Sequence, residues 1–175
     1  MRVETTPNVA STRQSIRITT LSHWNGGLFI MDAVHMPTGC GTWPYVLESF
    51  NFDWCLIFDP VHFGPMVGLR FTFSPHFALT LKQGPTWPIT GEIDIIEGVN
   101  NYTNNQATVH TNVGCTIASS DPSALSISGT VVGGTNCAAD QTGNQGCGIR
   151  ASSSNSFGAA FNENGGGVYA STSSM

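Results

Sequence analysis

Three carboxylates, Glu92, Asp94 and Glu97, fall within six residues of the stretch GEIDIIEGVN, Gly91 to Asn100. Only 10% of the chain is charged, so a cluster of like charge is costly unless something uses it. In an extended strand, residues two apart share a face. Glu92 and Asp94 therefore point one way, and Ile93 and Ile95 the other. Strict alternation would turn Glu97 away. One extra residue, Ile95 or Ile96, absorbed in a β-bulge returns it to the side of the other two. The spacing predicts a bulged strand that aims three carboxylates into one cleft.

Two carboxylates on one face suit glycoside hydrolysis. In its retaining form one attacks the anomeric carbon, while the other protonates the leaving oxygen and later activates water. The two then stand about 5–5.5 Å apart. A third carboxylate between them raises the proton affinity of its neighbours. By itself the cluster also suits a solvated strand edge, with calcium or with nothing bound. The isoleucines and flanking glycines favour a packed strand over a calcium loop.

The elements that would hold this strand are legible in part. QSIRITT and GGLFIMDAV read as strands, as does the alternating NQATVHTNV. From about Gly114 to Asn155 the chain is rich in Gly, Ser, Thr and Asn and reads as a long, disulfide-tied loop. SFGAAFNENGGGVYA reads as one more strand with its turn. No helical period persists beyond two turns. The expected fold is an antiparallel all-β domain, a sandwich. Residues 45–83 break the pattern: they hold seven of the ten phenylalanines, Cys55 and the one lysine, Lys82, with no clear period.

Composition sets the limits. The 175 residues suffice for one domain. A net charge of −5 argues against nucleic acid as a partner. No run of about 18 apolar residues suggests a membrane span. None of the five cysteines forms a C-x-x-C pair, which argues against a zinc or thioredoxin-like site. With Cys55 set aside, Cys40, Cys115, Cys137 and Cys147 leave three pairings open. Asn101-Tyr102-Thr103 is a glycosylation sequon and leans towards an oxidising compartment. The N-terminal residues, MRVETTPNVASTRQ, carry no signal-peptide pattern.

The text around the carboxylates resembles glycoside hydrolase family 16, specifically the fungal laminarinase-like endo-1,3(4)-β-glucanases. The carrying segments are GGLFIMDAVHMPTGCGTWP, GPTWPITGEIDIIEGVNN, ATVHTNVGC and TNCAADQTGNQGCG. The resemblance implies a concanavalin-like β-jelly-roll sandwich whose concave sheet forms a glucan-binding cleft. It implies Glu92 as nucleophile, Glu97 as general acid/base and Asp94 as the assisting carboxylate. Trp87 is similar to a cleft tryptophan that stacks on a glucosyl ring. His110 matches a histidine beside the carboxylates, and Arg13 an arginine that contacts sugar hydroxyls. Read without the resemblance, Trp87 fits a core position, His110 a satisfied sheet histidine and Arg13 an edge charge. His35 and Trp43 read as structural.

The implied activity is retaining hydrolysis of internal β-1,3 or mixed β-1,3/1,4 glucosidic bonds, by an extracellular monomer without cofactor or metal. A cell-wall glucan transglycosylase and an inactive glucan-binding module are the alternatives. The chain also departs from the family. Residues 45–83 replace a short stretch and read as an anomalous apolar insertion, such as translated intron would give. A signal peptide and opening strands are missing before the match, and further strands after it. The expectation is an incomplete, aggregation-prone sandwich with little or no hydrolase activity.

Overall fold

The computed structural model describes residues 15–21, 27–49, 66–72, 77–81 and 86–173, together with Asn8. For 48–49, 66–72, 77–81 and 173 the description is confined to the backbone. Arg13, Cys55 and Lys82 lie outside the described residues.

In chain order the strands are β1 (Ile16–Thr19), β2 (Gly27–His35), β3 (Tyr45–Ser49), β4 (Met66–Thr72) and β5 (Phe77–Leu81). They continue with β6 (Glu92–Glu97), β7 (Gln106–His110), β8 (Thr130–Val132), β9 (Cys147–Arg150) and β10 (Gly167–Ser173). One short helix, α1 (Gly158–Glu163), precedes β10. The strands form a seven-stranded sheet, β1-β5-β3-β6-β7-β9-β8, and a three-stranded sheet, β10-β2-β4. Pairing is antiparallel from β3 through β8, and parallel in β1·β5, β3·β5 and β2·β4.

The core lies between the two sheets. Ile18, Val46, Ile95 and Ile96 of the large sheet meet Phe29, Met31, Ala33 and Tyr169 of the small one, with Phe157 and Phe161 between. Apolar burial on this side leaves the opposite face of the large sheet for polar side chains, as a two-layer domain requires. The expected β-sandwich is the observed architecture.

Three elements depart from the sequence reading. The stretch 45–83 contributes β3, β4 and β5, and β3 is the direct neighbour of β6. Its period was hidden because both faces of β3 carry apolar groups. Val46 enters the core, whereas Tyr45 and Leu47 face the cleft. Within 114–155, expected as loop, lie β8 and β9, strands too short to show alternation. The strand expected across 156–170 is instead the helix α1 followed by β10. Asn162 holds α1 to the end of β2, accepting from Met36 N and donating to Met36 O, both at 2.8 Å. Phe161 buries its ring beneath. Tertiary packing, rather than helical periodicity, makes this turn helical. Of the three pairings open among four cysteines, the structure forms Cys137–Cys147, and Cys115 packs beside that bond.

Candidate active site

The site is built on the bulge in β6. Along β7, Asp94 stands opposite Thr108 and Glu97 opposite Gln106, so three steps on β6 match two on its partner. Along β3, Asp94 stands opposite Leu47 and Ile96 opposite Val46, two steps against one. Both irregularities enclose Ile95, which is the extra residue. Ile95 and Ile96 then both pack towards the core, while Glu92, Asp94 and Glu97 line one cleft. The bulge leaves backbone groups without ladder partners. The Asn105 side chain takes them up, accepting from Glu97 N at 3.1 Å and donating to Ile95 O at 2.9 Å.

Register places each carboxylate opposite a polar residue of β7: Glu92 faces His110, Asp94 faces Thr108 and Glu97 faces Gln106. His110 Nε2 lies 3.3 Å from Asp94 Oδ2, and both side chains are buried. Thr108 Oγ1 donates to Glu97 Oε2 at 3.1 Å, and Trp43 Nε1 donates to Glu97 Oε1 at 2.9 Å. The cleft encloses about 640 Å³, enough for several sugar units.

Burial, and then the charge of Asp94, push the Glu92 carboxyl up to about 7, against the pull of His110, Trp87 and Arg17. Glu97 is raised by the same two causes, opposed by its bonds from Trp43 and Thr108 and by His110. Burial pulls the His110 imidazole down, but the bond and charge of Asp94, with Glu92 and Glu97, outweigh it and leave the pKa raised. The charge of Asp94 acts on all three, so their titrations are linked. Ligand atoms of Glu92, Asp94 and His110 all lie within 4.8 Å of one another, a spacing one cation could bridge. A cation there would occupy the carboxylates that proton chemistry needs.

Trp87 sits in the turn that leads into β6, its ring centroid 6.3 Å from that of His110. Its indole N–H is buried without a formed hydrogen bond, yet lies near enough to Glu92 to lower that carboxyl. Such a donor, facing a cleft, suits a ligand hydroxyl. Thus Glu92, Asp94, Glu97, Trp87 and His110 come together in one cleft. Arg13 lies outside the described residues. The arginine that lines the cleft from that segment is Arg17 on β1, whose guanidinium donates to the Tyr45 hydroxyl. Alternation points to it, since Ile18 turns inward.

Trp43, read as structural, is a cleft residue. It is 53% exposed and bonds Glu97 directly. Its loop is fixed by Asn100, which donates from N to Thr42 O at 2.8 Å and accepts from Gly41 N at 2.8 Å. No sequence spacing links positions 43 and 97. Gln106 and Arg150 were missed as well, although Gln106 alternates with Thr108 and His110 on β7.

A two-layer β-sandwich with a carboxylate cluster and a facing tryptophan in an open cleft suits a carbohydrate ligand. The model of the XgeA-like catalytic GH16 domain matches residues 1–55 and 77–174. This chain belongs to glycoside hydrolase family 16. It is 37% identical over 171 residues to a probable glycosidase of Schizosaccharomyces pombe, covering 97% of this chain and 32% of that protein. It is 31% identical to an endo-1,3(4)-beta-glucanase of Emericella nidulans, covering 90% and 19%. Laminarinase 16A from Phanerochaete chrysosporium, solved with beta-glucans in donor and acceptor sites, superposes with a TM-score of 0.61. The identity is 31%, over 86% of this chain and 38% of that one. An elongating family 16 beta-1,3-glucosyltransferase superposes at 0.56 with 32% identity, over 86% and 37%. The chain thus spans well under half the length of these relatives. The family match is interrupted between residues 55 and 77, inside the 45–83 segment.

Proposed function

We propose that this chain carries the chemistry of a retaining β-glucan endohydrolase acting on internal β-1,3 or mixed β-1,3/1,4 bonds. The observation that carries it is the Ile95 bulge, which turns Glu92, Asp94 and Glu97 into one cleft. In the first step a Glu92 oxygen bonds the anomeric carbon as the glycosidic C–O bond breaks. The departing oxygen takes a proton from Glu97. In the second step Glu97 removes a proton from water, whose oxygen attacks the same carbon and releases Glu92. Asp94, bonded to His110, holds negative charge between the two and raises the proton affinity of both. Trp87 and Trp43 offer ring faces to the sugar, and Trp87 its indole N–H as well. The same reading places the enzyme outside the cell and treats residues 45–83 as an insertion in the catalytic domain.

Roles follow position in the E-x-D-x-x-E pattern, and azide rescue on an aryl β-glucoside tests them. Without its nucleophile, the enzyme lets azide attack the face opposite the leaving group and yields an α-glycosyl azide. Without its acid/base, azide attacks the glycosyl-enzyme and yields the β-product. The expectation is α-azide from Glu92→Ala and β-azide from Glu97→Ala. Exchanged products reverse the two roles, and a wild-type chain inert on glucan and aryl glucoside overturns the activity. Transglycosylation uses the same glycosyl-enzyme, with a sugar hydroxyl in place of water. The likeness to the elongating glucosyltransferase supports testing for it, with longer products than the laminari-oligosaccharide supplied as the readout.

A further inference from the structure

Behind Glu97 runs a line of side chains that crosses two strands. Arg150 on β9 stands opposite Gln106 on β7, which stands opposite Glu97 on β6. Arg150 donates to Gln106 Oε1 at 3.0 Å, Gln106 Nε2 donates to Thr108 Oγ1 at 3.2 Å, and Thr108 donates to Glu97 Oε2 at 3.1 Å. The guanidinium lies over the Tyr102 ring, 5.0 Å from its centroid.

The direction of this line is forced. A guanidinium has donors and no acceptor. Gln106 must therefore turn its carbonyl to Arg150 and its NH2 to Thr108. The Thr108 hydroxyl, accepting there, has its own proton left for Glu97. Thr108 is 1% exposed, so water cannot substitute. Gly148, opposite Thr108, leaves room for the crossing: a Cβ there would lie 3.1 Å from Gln106 Nε2 and 3.0 Å from Val132.

We propose that Arg150 and Gln106 are positioning residues that lock the Thr108 hydroxyl as a donor to Glu97 and so set how tightly Glu97 holds its proton. This deepens the proposed function, because it rests on Glu97 as acid/base. The other charged or titratable groups that share the cleft are Glu92 and Asp94 on β6, His110 on β7, Tyr45 on β3, Arg17 on β1 and Tyr102. None of these reaches the Thr108 hydroxyl in place of Gln106.

The test titrates Glu97 directly. The chain has five glutamates, Glu4, Glu48, Glu92, Glu97 and Glu163, so carboxyl-labelled glutamate gives few signals, and Glu97→Gln identifies the relevant one. Thr108→Val removes the donor, and the Glu97 midpoint moves to higher pH. Gln106→Glu moves it further: the new carboxylate accepts from Arg150, draws the Thr108 proton away and adds negative charge. Arg150→Lys keeps a donor and holds the midpoint near wild type, whereas Arg150→Met raises it. In the active chain the basic limb of kcat/KM shifts in the same order, since the acid must stay protonated. An unchanged midpoint in Thr108→Val, or in Arg150→Met, overturns the line. A shifted midpoint in a chain that hydrolyses nothing overturns the hydrolase reading instead and leaves the donor line standing.

Discussion

The two flanks of β6 are made differently. On the β7 side every ladder is antiparallel, and polar side chains reach across it: His110 to Asp94 and Thr108 to Glu97. The Cys137–Cys147 bond ties that flank at its base, with Cys147 the first residue of β9. On the β3 side the ladders beyond β3 are parallel, and the residues facing the cleft are Leu47, Tyr45 and Arg17. Glu97 is gripped from both, by Thr108 on one side and by Trp43, on the loop before β3, on the other. On the proposed function, the β7 flank would govern protons and the β3 flank would supply a wall for substrate.

The sharpest way to break this division is His110→Ala. It strips the partner from a buried carboxylate, so turnover should fall on the order of 10²-fold with KM little moved. A KM effect alone would place His110 among wall residues. Next, replacing both Cys137 and Cys147 by Ser should cost about 2 to 3 kcal/mol in chemical denaturation. If stability is unchanged, the β7 flank is held by its ladders alone. Asn105→Ala should cost about 2 kcal/mol by orphaning Ile95 O and Glu97 N. It should lower kcat more than it raises KM, because the bulge aims Glu97.

A smaller effect comes from pH. Glu92 is raised to about 7, and Glu97 and His110 are also raised. The folded state thus binds these protons more tightly than the unfolded one. Their contribution to stability is greatest below the ordinary carboxylate range and is lost as pH rises through about 7. Tm should drop across that window, and Glu92→Gln should flatten the drop while abolishing turnover. A Tm rising with pH there contradicts the cluster. The slightest change is Trp43→Phe. Because the indole is half exposed, losing its bond should cost less than about 1 kcal/mol and move the basic limb of kcat/KM upward only a little.

Much of the site could be read from the chain because its parts are close together. Glu92, Asp94 and Glu97 lie on one strand, where local stereochemistry decides which face each takes, and a bulge was the one means of aligning all three. His110 and Trp87 were reached through flanking text. Trp43, Gln106 and Arg150 were not, because their roles depend on which strands pair and in what register. The strand β3 was missed because a strand with apolar groups on both faces has no alternation to show. The helix α1 was missed because a six-residue helix held by Asn162 and Phe161 carries no period of its own.

The sequence by itself determined the carboxylate strand and its bulge, since spacing and backbone geometry act within a few residues. Only the tertiary structure decided the order of strands around β6. That order sets which groups donate to Glu97, in which direction, and how burial shifts the protons of Glu92 and His110. Hydrogen-bond polarity and desolvation depend on neighbours distant in the chain, and packing alone brings those neighbours together.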